Sequence, residues 1–389
     1  MRPVDALLAD LGSRDIRLWV EDGRLRFNAP EGAMTADLRQ ELTRRKGELV
    51  DLLGTPPAGE KAPATAIAPD PAHAGDPFPL TNLQRAYWIG RSDPDSFELG
   101  GVSAHVYFEL EGEKLDLARL EWAWNTLVKR HGMLRAVVDA DGMQRVLAEV
   151  PPYRIDTADL TAAGAEAIAA HVDSARADLS HYVAPADAWP LFVIRATRLP
   201  RDRVRLHVSF DGLVFDASSI LLLAREAWTL YSSGRDDLPP LSLGFRDYVL
   251  AVAGAEESEE GRRARAYWED RLDGLPAAPD LPLAKPLSTI GIPRFSRRAF
   301  RLDRDRWGAL KAQAREAGLT PSALLVSGFA DIVALWAREP KFTINLSLFN
   351  RLPLHPEVDS VVGDFTTLSL LEIDTTAEDG FVERARAVQ

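Results

Sequence analysis

The chain changes its hydrophobic period several times, and each change marks an element. Apolar residues recur at helical spacing in Val4–Leu11, whereas Ile16–Trp19 and Leu25–Phe27 flank Glu21-Asp22-Gly23, a glycine-bearing turn suited to a hairpin. Helical spacing returns in Asp37–Leu53, where Leu38, Leu42, Leu49 and Leu53 form a broad stripe. Residues 1–53 therefore predict a small helix-hairpin-helix unit. A unit of that size is near the lower limit for independent folding, which favours contact with a partner over chemistry as its purpose; the alternative is a leader of no consequence.

Gly54–Pro77 is rich in Pro and Ala and has no apolar periodicity, predicting a semi-stiff linker over residues 54–77. From Phe78 helices alternate with strands. Asp116 caps a helix whose Leu117, Leu120, Trp124, Leu127 and Val128 share one face, ending near His131-Gly132. A hairpin of Leu134–Val138 and Met143–Leu147 follows. Val204, Leu206, Val208 and Phe210 then alternate with Arg205, His207 and Ser209, giving a strand with one apolar and one polar face. Several prolines between Pro276 and Pro293 break the pattern, after which helices are predicted over Arg304–Ala317 and Ser322–Trp336 and a strand over Phe342–Leu348. The fold class is α/β (α+β), with a lobe at 78–275 and a partial second lobe at 276–389. The chain stops within a helical pattern that carries no cap, so the second lobe is expected to be cut.

Composition sets the outer limits. With 389 residues, 46% of them hydrophobic, the chain can bury a core for two or three domains. A formal charge of -12 without a dense Lys/Arg block argues against nucleic acid as a partner. There is no leader-like pattern and no apolar run near the roughly 18 residues of a membrane helix, so no membrane partner and a cytoplasmic location are expected. The absence of cysteine excludes disulfides, thiolate metal sites and an enzyme-borne thiol nucleophile, and no metal is expected. Any thiol chemistry must come from a substrate.

Candidate chemistry gathers where the alternating strand ends. Asp211 closes it on the polar face, with His207 and Ser209. Asp216 precedes the apolar-rich helix Ala217–Tyr231, which makes it a good N-cap and puts Ser219 at the third helical position, near free backbone donors. Two carboxylates there can supply an acid and a base, but capping is the stronger reading of Asp216, whereas Asp211 stays open between structure and catalysis. His131 lies at a predicted helix C-terminus, where an imidazolium caps, and is read as structural, whereas His207 stays a candidate by its place on the polar face.

Asp211 to Ser219 (DGLVFDASS) fits DxxxxDxxS and resembles the signature of nonribosomal-peptide heterocyclization domains, where linear condensation domains carry HHxxxDG instead. Further matches occur in family order: Pro79 to Gly90 (PLTNLQRAYWIG), Arg130 to Arg135 (RHGMLR), Phe245 to Val249 (FRDYV), and Val362 to Thr366 (VGDFT) after Asn350-Arg351-Leu352-Pro353. Residues 1–53 are similar to the TubC-like docking domains that precede such modules. The resemblance implies a two-lobed fold like chloramphenicol acetyltransferase, with a tunnel in which two carrier proteins present substrates on phosphopantetheine arms; no cofactor is bound directly.

The implied reaction condenses an upstream acyl thioester with a carrier-bound Cys, Ser or Thr and cyclodehydrates the product to a thiazoline or oxazoline. Asn345 matches an asparagine that lines the family's active site, the alternative being an Asn that satisfies a strand edge. Together with Asp211 it is the expected catalytic pair. Arg351 is expected to pair with Asp216, while Ser219 and Arg135 belong to the structural signature. His207, Asn350 and Asp364 are expected along the tunnel, Asp364 being either a turn residue or a wall. Ile16, Leu18, Leu25 and Phe27 belong to the hairpin that would receive the C-terminal tail of an upstream subunit by strand addition, or to the unit's own core. A threonine and an aspartate implicated in cyclodehydration in the family have no match here. The runner-up readings are therefore a docking and carrier-binding module without turnover, and a linear amide-forming domain.

Overall fold

The computed structural model describes residues 17–21, 24–28, 35–46, 49, 67–92, 100–291, 293–376 and 380–389. The helix expected over Val4–Leu11, the hairpin residue Ile16 and most of the linker lie outside them. Strands β1 (Arg17–Glu21) and β2 (Arg24–Asn28) pair antiparallel, Leu18 opposite Phe27 and Val20 opposite Leu25. Helix α1 (Ala36–Arg44) is capped by Thr35, whose hydroxyl accepts from the Leu38 N–H at 3.3 Å, and buries Leu38 and Leu42. The helix thus begins one residue before the expected start at Asp37.

Ile67, expected in the linker, is buried, and its N–H donates to the Leu354 carbonyl at 3.2 Å, so packing begins well before Phe78. Strand β3 (Phe78–Pro79) and helix α2 (Asn82–Ser92) follow, then strand β4 (His105–Glu113) and helix α3 (Leu117–Arg130). The Asp116 carboxylate caps α3 through the Arg119 N–H at 3.1 Å, as its position before an apolar stripe predicts. The expected hairpin is shorter, β5 (Ala136–Val138) and β6 (Met143–Val146), because residues 132–135 form a 3-10 turn. Strand β7 (Asp156–Asp159), helix α4 (Ala165–Leu179), strands β8 (Phe192–Leu199) and β9 (Arg203–Asp211), and helices α5 (Ala217–Ser233), α6 (Phe245–Ala255) and α7 (Glu259–Leu272) complete this part.

The main sheet runs β4-β9-β8-β7, antiparallel except for β7 with β8. One face packs on α3 and α5, with Trp124, Phe192, Phe210 and Phe215 meeting at ring-centroid distances of 5.1 to 6.5 Å. The polar face of β9 is not open: every residue from Leu206 to Asp211 is buried. Helix α4, whose Val172, Ala175 and Leu179 recur at helical spacing and are buried, covers that side.

Beyond residue 293 come α8 (Arg304–Glu316), α9 (Pro321–Ala334), β10 (Lys341–Phe349), β11 (Thr366–Asp374) and α10 (Phe381–Val388). Strands β10 and β11 pair antiparallel, and Phe342 and Ile373 pack with Ala330 of α9 in a separate small core. The connection between these strands departs from the expected partition, since Leu354, Val358, Val361, Val362 and Phe365 join the core of the first lobe. Among the described residues no single helix is long and apolar enough to cross a membrane.

Candidate active site

The signature segment starts where β9 must pass close to β4. The Gly212 N–H donates to the Ala104 carbonyl at 2.6 Å, and a Cβ at residue 212 would lie 2.7 Å from that oxygen, so only glycine fits. The chain then turns into α5. The Asp216 carboxylate accepts from the Ser219 N–H at 2.6 Å and from Arg351 Nη2 at 3.1 Å, with Asp216 and Arg351 side chains 0% and 10% exposed. Arg351 Nη2 also donates to Ser219 Oγ at 2.9 Å, and its Nη1 donates to the carbonyls of Val358 and Val361 at 3.0 and 2.7 Å.

Ser219 carries the connection to VGDFT. Its Oγ accepts from the Gly363 N–H at 3.0 Å and lies 2.8 Å from the Gly363 carbonyl, which also accepts from the Asp216 N–H at 3.1 Å. The Arg351 guanidinium lies 4.0 Å over the Phe365 ring, itself packed edge-on against Phe245 and Tyr248 of α6. The motifs are therefore one contact network. Gln84 of the opening motif extends it: Nε2 donates to the Leu213 carbonyl at 2.6 Å and to Gln144 at 3.0 Å.

This network backs a cleft of about 440 Å³ between residues 79–86, which lead from β3 into α2, helix α6, and residues 350–352 and 364–368. Asn350 and Asp364 line it. The Tyr248 hydroxyl donates to the Asn350 carbonyl at 2.9 Å. Asp364 is 1% exposed; its Oδ1 accepts from the Thr366 N–H at 3.1 Å and its Oδ2 has no partner. Burial, with a smaller contribution from the charge of Asp216, pushes this carboxyl up to about 6.

Two expected residues are elsewhere. Asp211 does not face the cleft: its carboxylate accepts from Arg91 at 2.6 Å, from Ser103 Oγ at 2.9 Å and from the Leu213 N–H at 2.9 Å, leaving it no free oxygen for acid or base work. His207 is beneath α4 and not along the tunnel. It lines a polar cavity of about 110 Å³ with His171 and Ser174 of α4 and with Asp156 and Arg195. Its Nδ1 is 2.8 Å from the Tyr107 oxygen, and because that hydroxyl donates its one proton to Glu109, the ring is the donor. Burial lowers the His207 pKa.

Asn345 lies on β10 opposite Leu370, on the hairpin face it shares with Leu368 and Thr366 of the cleft wall; it is exposed and its amide has no hydrogen bond among the described residues. Arg135 closes the β5–β6 hairpin by donating to the carbonyls of Leu147 and Ala148 at 3.0 and 2.8 Å. His131 is buried against Glu226 at 2.7 Å, a structural placement. Sequence reasoning missed Arg91, Gln84 and Gly363. Gln84 and Gly363 lie in the quoted motifs, whose mutual contacts only the fold reveals, whereas Arg91 directly follows the opening motif and carried no signal.

The whole chain superimposes on the cyclization-docking bidomain of the EpoB nonribosomal peptide synthetase from Sorangium cellulosum with a TM-score of 0.78 and 34% identity, covering 99% of this chain and 75% of that one. The condensation-domain family matches residues 75–389, and the TubC N-terminal docking domain matches residues 4–54. The chain belongs to the condensation-domain family of nonribosomal peptide synthetases. Within that family its full-length likeness is to a docking domain joined to a cyclization domain. Pyochelin synthetase PchF of Pseudomonas aeruginosa is 40% identical over 383 residues, 98% of this chain and 20% of that protein. Phenyloxazoline synthase MbtB of Mycobacterium tuberculosis is 36% identical over 370 residues, 89% of this chain and 25% of that protein. The chain thus spans a fifth to a quarter of the length of these relatives.

Proposed function

We propose that this chain is a heterocyclization unit: it joins an upstream carrier-bound acyl thioester to a carrier-bound Cys, Ser or Thr and closes the product to a thiazoline or oxazoline. The observation that carries the reading is the DxxxxDxxS segment, whose Asp216 and Ser219 fasten the wall of the interlobe cleft, in a chain that matches a cyclization-docking bidomain along its length. The name of MbtB, a phenyloxazoline synthase, supports the same product class.

Two tethered substrates on phosphopantetheine arms meet in the cleft, and confinement supplies much of the first stage, attack of the amine on the thioester carbonyl. The side-chain thiol or hydroxyl then attacks the new amide carbonyl. The amide of Asn345, exposed on β10, donates to that carbonyl oxygen as charge develops. Water leaves in the third stage. Residues 1–53 receive the C-terminal tail of an upstream subunit along the β1–β2 hairpin, a two-stranded sheet whose outer edges suit strand addition. The reaction belongs in the cytoplasm.

Incubation with acyl-loaded and cysteinyl-loaded carrier proteins, read by intact mass, tests this. Loss of one water beyond amide formation is the expected result. An amide that keeps its water identifies a linear condensation domain, and no acyl transfer identifies a docking and carrier-binding module.

A further inference from the structure

The floor and the mouth of the cleft differ in chemistry. Leu80, Leu83, Val249 and Phe365 make an apolar floor and are 3 to 8% exposed. The mouth is polar, with Asn82 and Arg85 exposed on α2 and Glu256 exposed across from them at the end of α6. Arg85 is the one cation among the described residues that line the cleft, and its guanidinium has no hydrogen bond or ion pair with any described residue. Its own helix offers it no acid, because the residues three and four positions away are Thr81, Asn82, Trp88 and Ile89. Arg91 on the same helix is, by contrast, buried and bound to Asp211, Ser103 and the Ala184 carbonyl. The Thr81 hydroxyl beside Arg85 accepts the Gln84 N–H at 3.2 Å and keeps its own proton to donate. The α2 wall therefore presents donors to the opening. The carboxylate at the mouth, Glu256, is on the opposite wall, and Asp364 is 1% exposed.

We propose that Arg85, with Asn82 beside it, binds the phosphodiester of a phosphopantetheine arm at the mouth of the cleft. The assignment rests on the reading that carrier-bound arms enter here, and it names the residues that would hold one of them. Such an arm has its charge at the phosphodiester next to the carrier, followed by a dimethyl-bearing carbon, two amides and the thioester. The thioester must pass inward while the carrier stays outside, so the phosphodiester comes to rest at the opening, where the cation is. The dimethyl segment then meets the apolar lining. A guanidinium suits this anion, since two of its N–H groups engage two phosphate oxygens in charge-assisted bonds, each roughly twice as strong as a neutral one. The chain carries a formal charge of -12, whose field opposes an anionic arm, and a local cation at the mouth offsets that field where capture occurs. Glu256 sharpens the placement by repelling the phosphodiester from the α6 wall.

The test compares two stable amide analogues of the donor, an acyl-phosphopantetheine and the acyl-pantetheine that lacks the phosphate, by equilibrium dialysis against the intact chain. Wild type is expected to bind the phosphorylated analogue about 10-fold more tightly, a preference that shrinks as salt is added. Arg85→Gln should melt like wild type, lose that preference and bind the unphosphorylated analogue unchanged. Arg85→Lys should keep part of the preference, as a point charge without the fork. Glu256→Gln should act in the opposite direction and tighten the phosphorylated analogue by about twofold. Equal affinities for the two analogues in wild type, a preference that survives in Arg85→Gln, or an Arg85→Gln protein that weakens both analogues alike would overturn the assignment, the last because the guanidinium then meets another part of the arm. Binding of neither analogue overturns it as well. The heterocyclization reading fails by a different result, an amide that keeps its water in the carrier assay, and that result leaves these affinities as they are.

Discussion

Arg91 and Asp211 meet at 2.6 Å inside the first lobe, with side chains 4% and 5% exposed. The pair joins the end of α2 to the end of β9, and Arg91 also donates to the Ala184 carbonyl at 3.2 Å. The first aspartate of the signature is therefore a fixed anchor for the segment that leads to Asp216. Arg91→Met should destabilise the protein by about 3–5 kcal/mol, because it strands a buried carboxylate. Asp211→Leu should do the same, and the double variant should lose much less than the sum. Urea unfolding of the four proteins checks this; additive losses would show that the two side chains do not depend on each other.

Asp216 has two tasks that substitution can separate. Asparagine keeps most of the cap on α5 but not the charge facing Arg351, so Asp216→Asn should lower stability by about 3–5 kcal/mol through the broken ion pair. Asp216→Ala should lose about 1 kcal/mol more through the cap. Thermal melting reads both. An Asp216→Asn protein that melts like wild type would show that the pair contributes nothing to the fold.

How much of this was legible in the sequence follows from how local each cause is. Asp116 and Asp216 were readable as caps because the groups they bind are three residues away. The accessibility of the β9 polar face was not, because alternation assigns faces but not what covers them, and α4 supplies the cover from outside the strand. Asp211 and His207 were misplaced for that reason. The partner of Asp211 is 120 residues away, and nothing in the spacing of DGLVFDASS points to Arg91. Asn350 and Asp364 drew attention through the family motifs, whereas their packing beside Tyr248 and Phe365 is a property of the fold alone. Ile67 was lost in a Pro/Ala-rich stretch whose composition masks a single buried anchor.

Gly363 is held where no side chain fits. Gly363→Ala places its methyl against the Phe245 ring, and overpacking of this kind destabilises by about 1–3 kcal/mol. Phe245→Leu in the same protein makes room, so the double variant should recover part of the loss. Equilibrium unfolding of the pair decides; a double variant no better than the product of two independent losses would place the constraint in the backbone instead.

The Asp364 carboxyl also sets a pH dependence with a definite sign. Burial raises it from the ordinary 3.8 to about 6, so the folded protein holds its proton more tightly than the unfolded chain does. Its contribution is fully present below about 4 and is lost as pH rises through 6, where ionisation leaves a buried charge with one oxygen unpaired. Asp364→Asn removes the titration and keeps a polar side chain of the same size. The variant should therefore gain on wild type as pH rises from 4 to 7, by about 2–3 kcal/mol at the upper end. Urea midpoints of the two proteins across that range measure the difference directly. A gap that stays constant with pH would mean that this carboxyl ionises in the folded protein as it does in the unfolded chain, and that its unpaired oxygen finds a partner in solution.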